Sequence, residues 1–181
     1  LTDTDVNVSH TTGSDVTIGE IVEYQVELTV PEIQLNNLTV EDTLDSGLAL
    51  VDCVSVEAFS DGTASSVIEI DGGTNYLDYC SPTNPTVTSS GSNIVFDFGP
   101  TFENIDTNNA TTEPLVITYT AVVFDEPGNN AGDNRNNSVQ VRYDDWLSGT
   151  ENRNTSATNI TIVEPDISIS KTASPNSADA N

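Results

Sequence analysis

Basic side chains are almost missing from these 181 residues: Lys171, Arg135, Arg142 and Arg153 stand against 29 carboxylates, a formal charge of −25. Proteins hold phosphate backbones with lysine and arginine, which displace condensed counterions. The shortage therefore excludes nucleic acid as a partner and disfavours an anionic membrane surface. Methionine is absent, His10 is the sole histidine, and Cys53 and Cys80 are not in CxxC spacing. That leaves no zinc-ligand set. No signal peptide or membrane-length apolar run is present, as expected of a mature form or of a portion of a longer protein. A hydrolytic triad needs a histidine held by a carboxylate beside a nucleophile, and His10 lies in the opening stretch with no such neighbour signature. Carboxylate pairs can do acid–base work, but 29 acidic residues make chance pairs unavoidable. The sequence predicts a non-enzymatic protein without direct membrane insertion, and it requires no cofactor.

What is present is β-sheet chemistry. Threonine, serine and asparagine number 24, 18 and 19, about a third of the chain, and hydrophobic residues make up only 35%. A sheet with one wet face needs fewer apolar residues than helices buried on several sides. From Glu20 to Val30 the alternation holds for eleven residues, with Val22, Tyr24, Val26, Leu28 and Val30 on one face. Period two of that length predicts a half-buried strand, and Pro31 then stops ladder pairing. Further strands are predicted at Leu38 to Thr43, Leu48 to Phe59, Asn93 to Phe98, Leu115 to Phe124, Ser138 to Asp144 and Thr158 to Val163. Short strands with polar turns at this spacing read as an all-β fold, an Ig-like antiparallel β-sandwich.

Residues 60–92 are rich in Ser, Thr, Gly and Pro, with one short strand at Val67 to Ile70, and read as an insertion and variable surface. Cys53 and Cys80 sit in strand-like contexts at either side of it. In an oxidising compartment they are expected to pair, which in the chain-entropy model contributes ~3.5 kcal/mol. One domain is read over 1–164. The last stretch, PDISISKTASPNSADAN, repeats the rhythm of the first: laying DVNVSHTTGSD over DISISKTASPN puts Val6 on Ile167, Val8 on Ile169 and His10 on Lys171. Residues 165–181 are therefore expected to be a linker and the first strand of, or donated to, the next unit. Ile167, Ile169 and Lys171 form its inter-unit face.

The runs TTGSDVTIGEIVEYQVELTVPE and VEDTLDSGLALVDCVSVE, with NSVQVRYDD, TSATNITIVEP and the ISISKTASP restart, resemble a known family. It is the isopeptide-forming fimbrial-type and related Ig-like repeat domains of large prokaryotic cell-surface proteins. The resemblance covers most of the chain apart from the insertion. It implies an extracellular β-sandwich serving as a stalk, adhesin segment or surface fibre. In the cross-linked members, a lysine on the first strand attacks an asparagine side chain near a late strand, and a buried carboxylate moves the protons. Burial favours the neutral amine that this requires. Asn137 shares the inward parity of Val139 and Val141 and fits the acceptor. His10, however, stands at the position aligned with Lys171, and residues 1–164 hold no lysine. No intramolecular isopeptide bond is predicted there.

Several candidate sites remain. Hard cations take oxygen ligands from a turning loop, and DEPGNNAGDNRNN offers Asp125, Glu126, Asn129, Asn130 and Asp133 for calcium. IDGGTNYLD offers Asp71, Asn75 and Asp78, and the turn VEDTLD offers Asp42 and Asp45. None has EF-hand spacing, and ordinary hairpin chemistry also accounts for each. Six sequons, at Asn7, Asn37, Asn109, Asn136, Asn154 and Asn159, are candidates for N-glycosylation. Trp146, Tyr76 and Tyr79 are candidates for stacking on sugar rings. The leading reading is a structural module of an extracellular, cell-surface fibre, stalk or sheath, joined head-to-tail to neighbouring copies through its C-terminal strand. The alternative is a calcium-dependent adhesive or carbohydrate-binding module acting on surface glycans.

Overall fold

The computed structural model describes residues 3–4, 13–60, 63–64, 67–74, 80, 86–106, 113–145, 149–155, 158–164 and 169–172. His10, Asn7, Asn75, Tyr76, Asp78, Tyr79, Asn109, Trp146 and Ile167 lie outside them. All regular structure among the described residues is strand. In chain order the strands are β1 (Asp3–Thr4), β2 (Asp15–Val16), β3 (Ile21–Val30), β4 (Gln34–Leu44), β5 (Leu48–Ser60), β6 (Thr63–Ala64), β7 (Ile68–Ile70) and β8 (Gly73–Thr74). They continue as β9 (Thr86–Ser90), β10 (Asn93–Asp97), β11 (Thr101–Asn104), β12 (Glu113–Val123), β13 (Asn134–Asp145), β14 (Gly149–Asn154) and β15 (Thr158–Ile162).

The strands form the two sheets of an Ig-like β-sandwich. One runs β1-β3-β12-β5-β6; the other runs β2-β15-β13-β4-β11-β7-β8, with β10 on β4, β9 on β10 and β14 on β13. Among the described residues all pairings are antiparallel except β15 with β2, where Thr161 meets Asp15 and Ile162 meets Val16. The alternation read from β3 is the alternation that is buried: Val22, Tyr24, Val26 and Val30 face the core. Opposite them on β12 lie Leu115, Ile117, Tyr119 and Ala121, all at 0% exposure. Ile94, Phe96, Phe98, Phe102 and Ile160 fill the layer from the second sheet. Burying each such side chain contributes ~1.5–3 kcal/mol.

The strands differ from the sequence expectation where the period slips. β4 starts at Gln34 rather than Leu38, and both Leu35 and Leu38 are buried although they differ in parity. The irregularity is at Asn37, whose φ is 50°. There β4 changes partner, from β11 (Leu35 opposite Phe102) to β10 (Thr39 opposite Asp97). Strands β9, β11 and β14 have no alternation strong enough to be read: β9 is mostly exposed, and only one of the six β14 residues is even half-buried. The 60–92 region is partly woven into the sheet, since β7 pairs with β11 and β9 with β10. Cys53 and Cys80 are disulfide-bonded, with Cα atoms 5.5 Å apart.

The strand directions give the sandwich two ends. At one end lie Gly47, Phe124 and Gly132, and here the chain leaves β15: the Gly132 amide donates to the Ile162 carbonyl and the Val163 amide to that of Val16. At the other lie the close of β3 and the opening of β4, with Asn104 donating to the Val30 carbonyl.

Candidate functional site

Inward parity carries one acid into the core. On β4, Val40, Asp42 and Leu44 share a face, and all three are buried, Asp42 at 0% exposure. The VEDTLD segment is thus a strand interior at Asp42, not the calcium-binding turn its composition suggested. Cross-strand register places Asp42 beside Val139 of β13, whose inward neighbour Asn137 is 6% exposed. The first sheet contributes Tyr24 and Tyr119, directly paired across β3 and β12 and stacked with ring centroids 5.5 Å apart.

These four side chains form one polar island. The Tyr119 hydroxyl donates to Asp42 Oδ2 at 2.5 Å, and Asn137 Nδ2 donates to the Tyr119 oxygen at 2.6 Å and to Asp42 Oδ2 at 3.4 Å. Asp42 Oδ1, Asn137 Oδ1 and the Tyr24 hydroxyl have no hydrogen-bond partner among the described residues. Burial pushes the Asp42 carboxyl up to about 6, against the opposing pull of the donors Tyr119 and Asn137. Burial, and next the Asp42 charge, push both tyrosines up as well. Chemically the site is a carboxylate held against a carboxamide in a water-poor interior, with acceptor oxygens left over. No cation among the described residues reaches it.

The inward placement of Asn137 agrees with the parity argument. Asp42, Tyr24 and Tyr119 were not singled out as site residues from the sequence. The signal for Asp42 was available, since it occupies the apolar phase of Leu38-Thr-Val40-Glu-Asp42-Thr-Leu44.

The other candidates are dispersed. In the 125–133 loop Asn129 is 3% exposed, and its amide donates to the carbonyls of Gly47 and Phe124. Its Oδ1 accepts from Arg135 Nε, and the same guanidinium donates to the Gly128 carbonyl. Asp133 caps the turn by accepting from the Asn130 amide and side chain, which hold its carboxyl below the usual range. The hydrogen bonds of Asn129 and Asp133 therefore serve the turn itself. Among the described residues no group of three His, Cys, Asp or Glu is placed to hold a metal ion. Asp71 accepts from the Thr101 amide and hydroxyl, and Asp45 from the Ser46 amide. Of the sequons, Asn136, Asn154 and Asn159 are exposed, while the Asn37 amide donates to Asp144 at 2.7 Å. Lys171 and Ile169 are exposed, Ile169 at 96%.

No protein-family model and no curated protein matches the chain. Solved structures match its fold. The 35 kDa C-terminal fragment of the major pilin GBS80 of Streptococcus agalactiae is 13% identical at a TM-score of 0.54, covering 89% of this chain and 55% of that one. The N-terminal domain of the Streptococcus gordonii adhesin Sgo0707 is 12% identical at 0.52, covering 89% and 31%. Domains D2 and D3 of the major pilin SpaD from Corynebacterium diphtheriae are 13% identical at 0.51, covering 79% and 47%. The chain thus spans between about a third and about half of these structures. At such identities the likeness is one of fold.

Proposed function

We propose that this chain is a non-enzymatic structural module of an extracellular surface fibre, stalk or sheath, joined head-to-tail through its C-terminal strand. The observation that carries the reading is the exposed stretch after β15. After β15 closes the sandwich, the backbone continues to Ile169–Thr172, where an isoleucine stands 96% exposed and the sole lysine projects beside it. An apolar, strand-patterned segment outside its own core is what an assembling unit offers to a neighbour, because unpaired strand edges accept added strands. The sandwich likeness to pilin and adhesin structures supports the same reading at the level of fold.

The polar island fits a load-bearing rather than a catalytic role. Asp42, Tyr119 and Asn137 bond to one another between the sheets. The apolar groove at the close of β3 is lined by other residues. Electron microscopy of the native assembly tests the function directly. Filaments whose units join through residues 165–181 are expected. Monodisperse compact monomers would overturn it.

A further inference from the structure

Asparagine is divided unevenly between the two sheets. The strands of the first sheet contain none, whereas those of the second contain ten of the chain's 19. Strands disfavour asparagine, and the outer face of the first sheet is wetted without it, by Glu23, Gln25, Glu27, Thr118 and Thr120. Solvation alone therefore does not call for asparagine on the second. Seven of the ten are exposed. Four of those seven, Asn37, Asn136, Asn154 and Asn159, have Ser or Thr two positions on. Ser and Thr make up just under a quarter of the chain, which by composition would give about one or two.

Cross-strand register gathers three of the four on one surface. Asn137 and Val139 point inward from β13, so Asn136 and Gln140 point outward. Asn136 is paired with Asn159 of β15, and Gln140 with Asn154 of β14. Gln140 Nε2 donates to Asn154 Oδ1 at 2.9 Å, which sets both side chains on the same face.

We propose that this outer face of the second sheet is a modification surface, N-glycosylated at Asn154 and at one of the pair Asn136 and Asn159. The sugar comes from a donor activated as a lipid-linked pyrophosphate. The asparagine Nδ2 bonds to the anomeric carbon of the sugar, and the bond from that carbon to the pyrophosphate oxygen breaks. Its electron pair leaves with the pyrophosphate, and the proton given up by Nδ2 passes to a base of the transferase. The inference goes beyond the fibre reading and does not depend on it.

Geometry ranks the acceptors. Asn154 closes β14, a strand with only Glu151 even half-buried, and its contact with Gln140 uses the carboxamide oxygen, not the nitrogen that takes the sugar. Asn136 and Asn159 stand directly opposite each other, with Cβ atoms about 4.5–5.5 Å apart by strand geometry. A sugar on one fills the space beside the other, so a single molecule carries one and not both. Asn37 is the poorest acceptor: its Nδ2 is already donated to Asp144 at 2.7 Å, from a backbone held at a φ of 50°.

The test is glycopeptide mass spectrometry of the chain isolated from the cells that make it. Trypsin cuts after Arg135, Arg142 and Arg153, so Asn136 falls on peptide 136–142, apart from Asn154 and Asn159 on peptide 154–171. Electron-transfer fragmentation, which keeps the sugar on its side chain, separates the last two. Asn154 is expected to be modified in most molecules and Asn37 to be bare. The occupancies of Asn136 and Asn159 are expected to sum to no more than one. Asn136, Asn154 and Asn159 all bare would overturn the proposal, whatever Asn37 carries. Occupancies of Asn136 and Asn159 that sum well above one would overturn the exclusive pair.

Discussion

Tyr119 and Asp42 lie on different sheets, and the bond between them, 2.5 Å from phenol to carboxylate, ties the two layers at the centre of the core. Removing the phenol oxygen leaves Asp42 with the more distant Asn137 alone among these donors. Tyr119→Phe is therefore expected to cost about 1–3 kcal/mol, the penalty of a buried acceptor short of a partner. Chemical denaturation at neutral pH measures it.

The same carboxyl gives a pH signature. Its value rises from 3.8 to about 6 on folding, so the folded state binds the proton more tightly than the unfolded chain. The stability this contributes is complete below about pH 4 and is lost as pH rises through about 6, at up to ~1.4 kcal/mol per pH unit. Denaturation midpoints of the native chain should fall across that window. Asp42→Asn, whose carbonyl still accepts from Tyr119, should show a shallower fall. Parallel slopes in the two proteins would contradict the assignment.

Asn137 should keep its carboxamide within its own chain, because residues 1–164 contain no lysine. The intact mass of the unglycosylated monomer is expected to equal the sequence mass less two hydrogens for Cys53–Cys80. A monomer lighter by one further ammonia would show that an amine of the same chain had condensed with it.

At the exit end, Gly47 has a φ of +89°, and the Asn129 amide packs against its Cα. An alanine there both strains the backbone and collides with a side chain that holds three elements together through Gly47, Phe124 and Arg135. Gly47→Ala should destabilise by roughly 2–4 kcal/mol. Asn129→Ala should remove much of the alanine penalty in the double variant, an interaction energy that a double-mutant cycle reads directly.

The disulfide spans 27 positions and pins the region after β5 to the sandwich. Replacing both cysteines with serine should cost about 3 kcal/mol and lower the melting temperature by several degrees.

Where alternation is clean, the fold was readable in advance: β3, β10 and β12 fall within two residues of their expected bounds at each end. It was unreadable where a residue leaves the β region or a strand has no apolar face. Asn37 breaks the period of β4, and β14 pairs with β13 while burying almost nothing. The site was half legible. Parity turned Asn137 inward correctly, but Asp42, although inside the strand expected over Leu38 to Thr43, was also offered as a calcium ligand of a VEDTLD turn, because an acid in a Thr-, Asp- and Ser-rich segment looks like loop chemistry. Tyr24 and Tyr119 looked like ordinary core aromatics. Only cross-strand register shows that the Tyr119 hydroxyl meets the Asp42 carboxylate, with Tyr24 stacked beside it.

The parallel pairing of β2 with β15 has a mechanical meaning. β2 stands near the start of the chain and β15 near its end, side by side and pointing the same way, with Thr161 donating to the Ser14 carbonyl and Val163 to that of Val16. Tension applied to the two ends of such a module pulls these strands in opposite senses along their length. The bonds between them are then sheared together rather than unzipped one after another, so the first event under load requires all of them to fail at once.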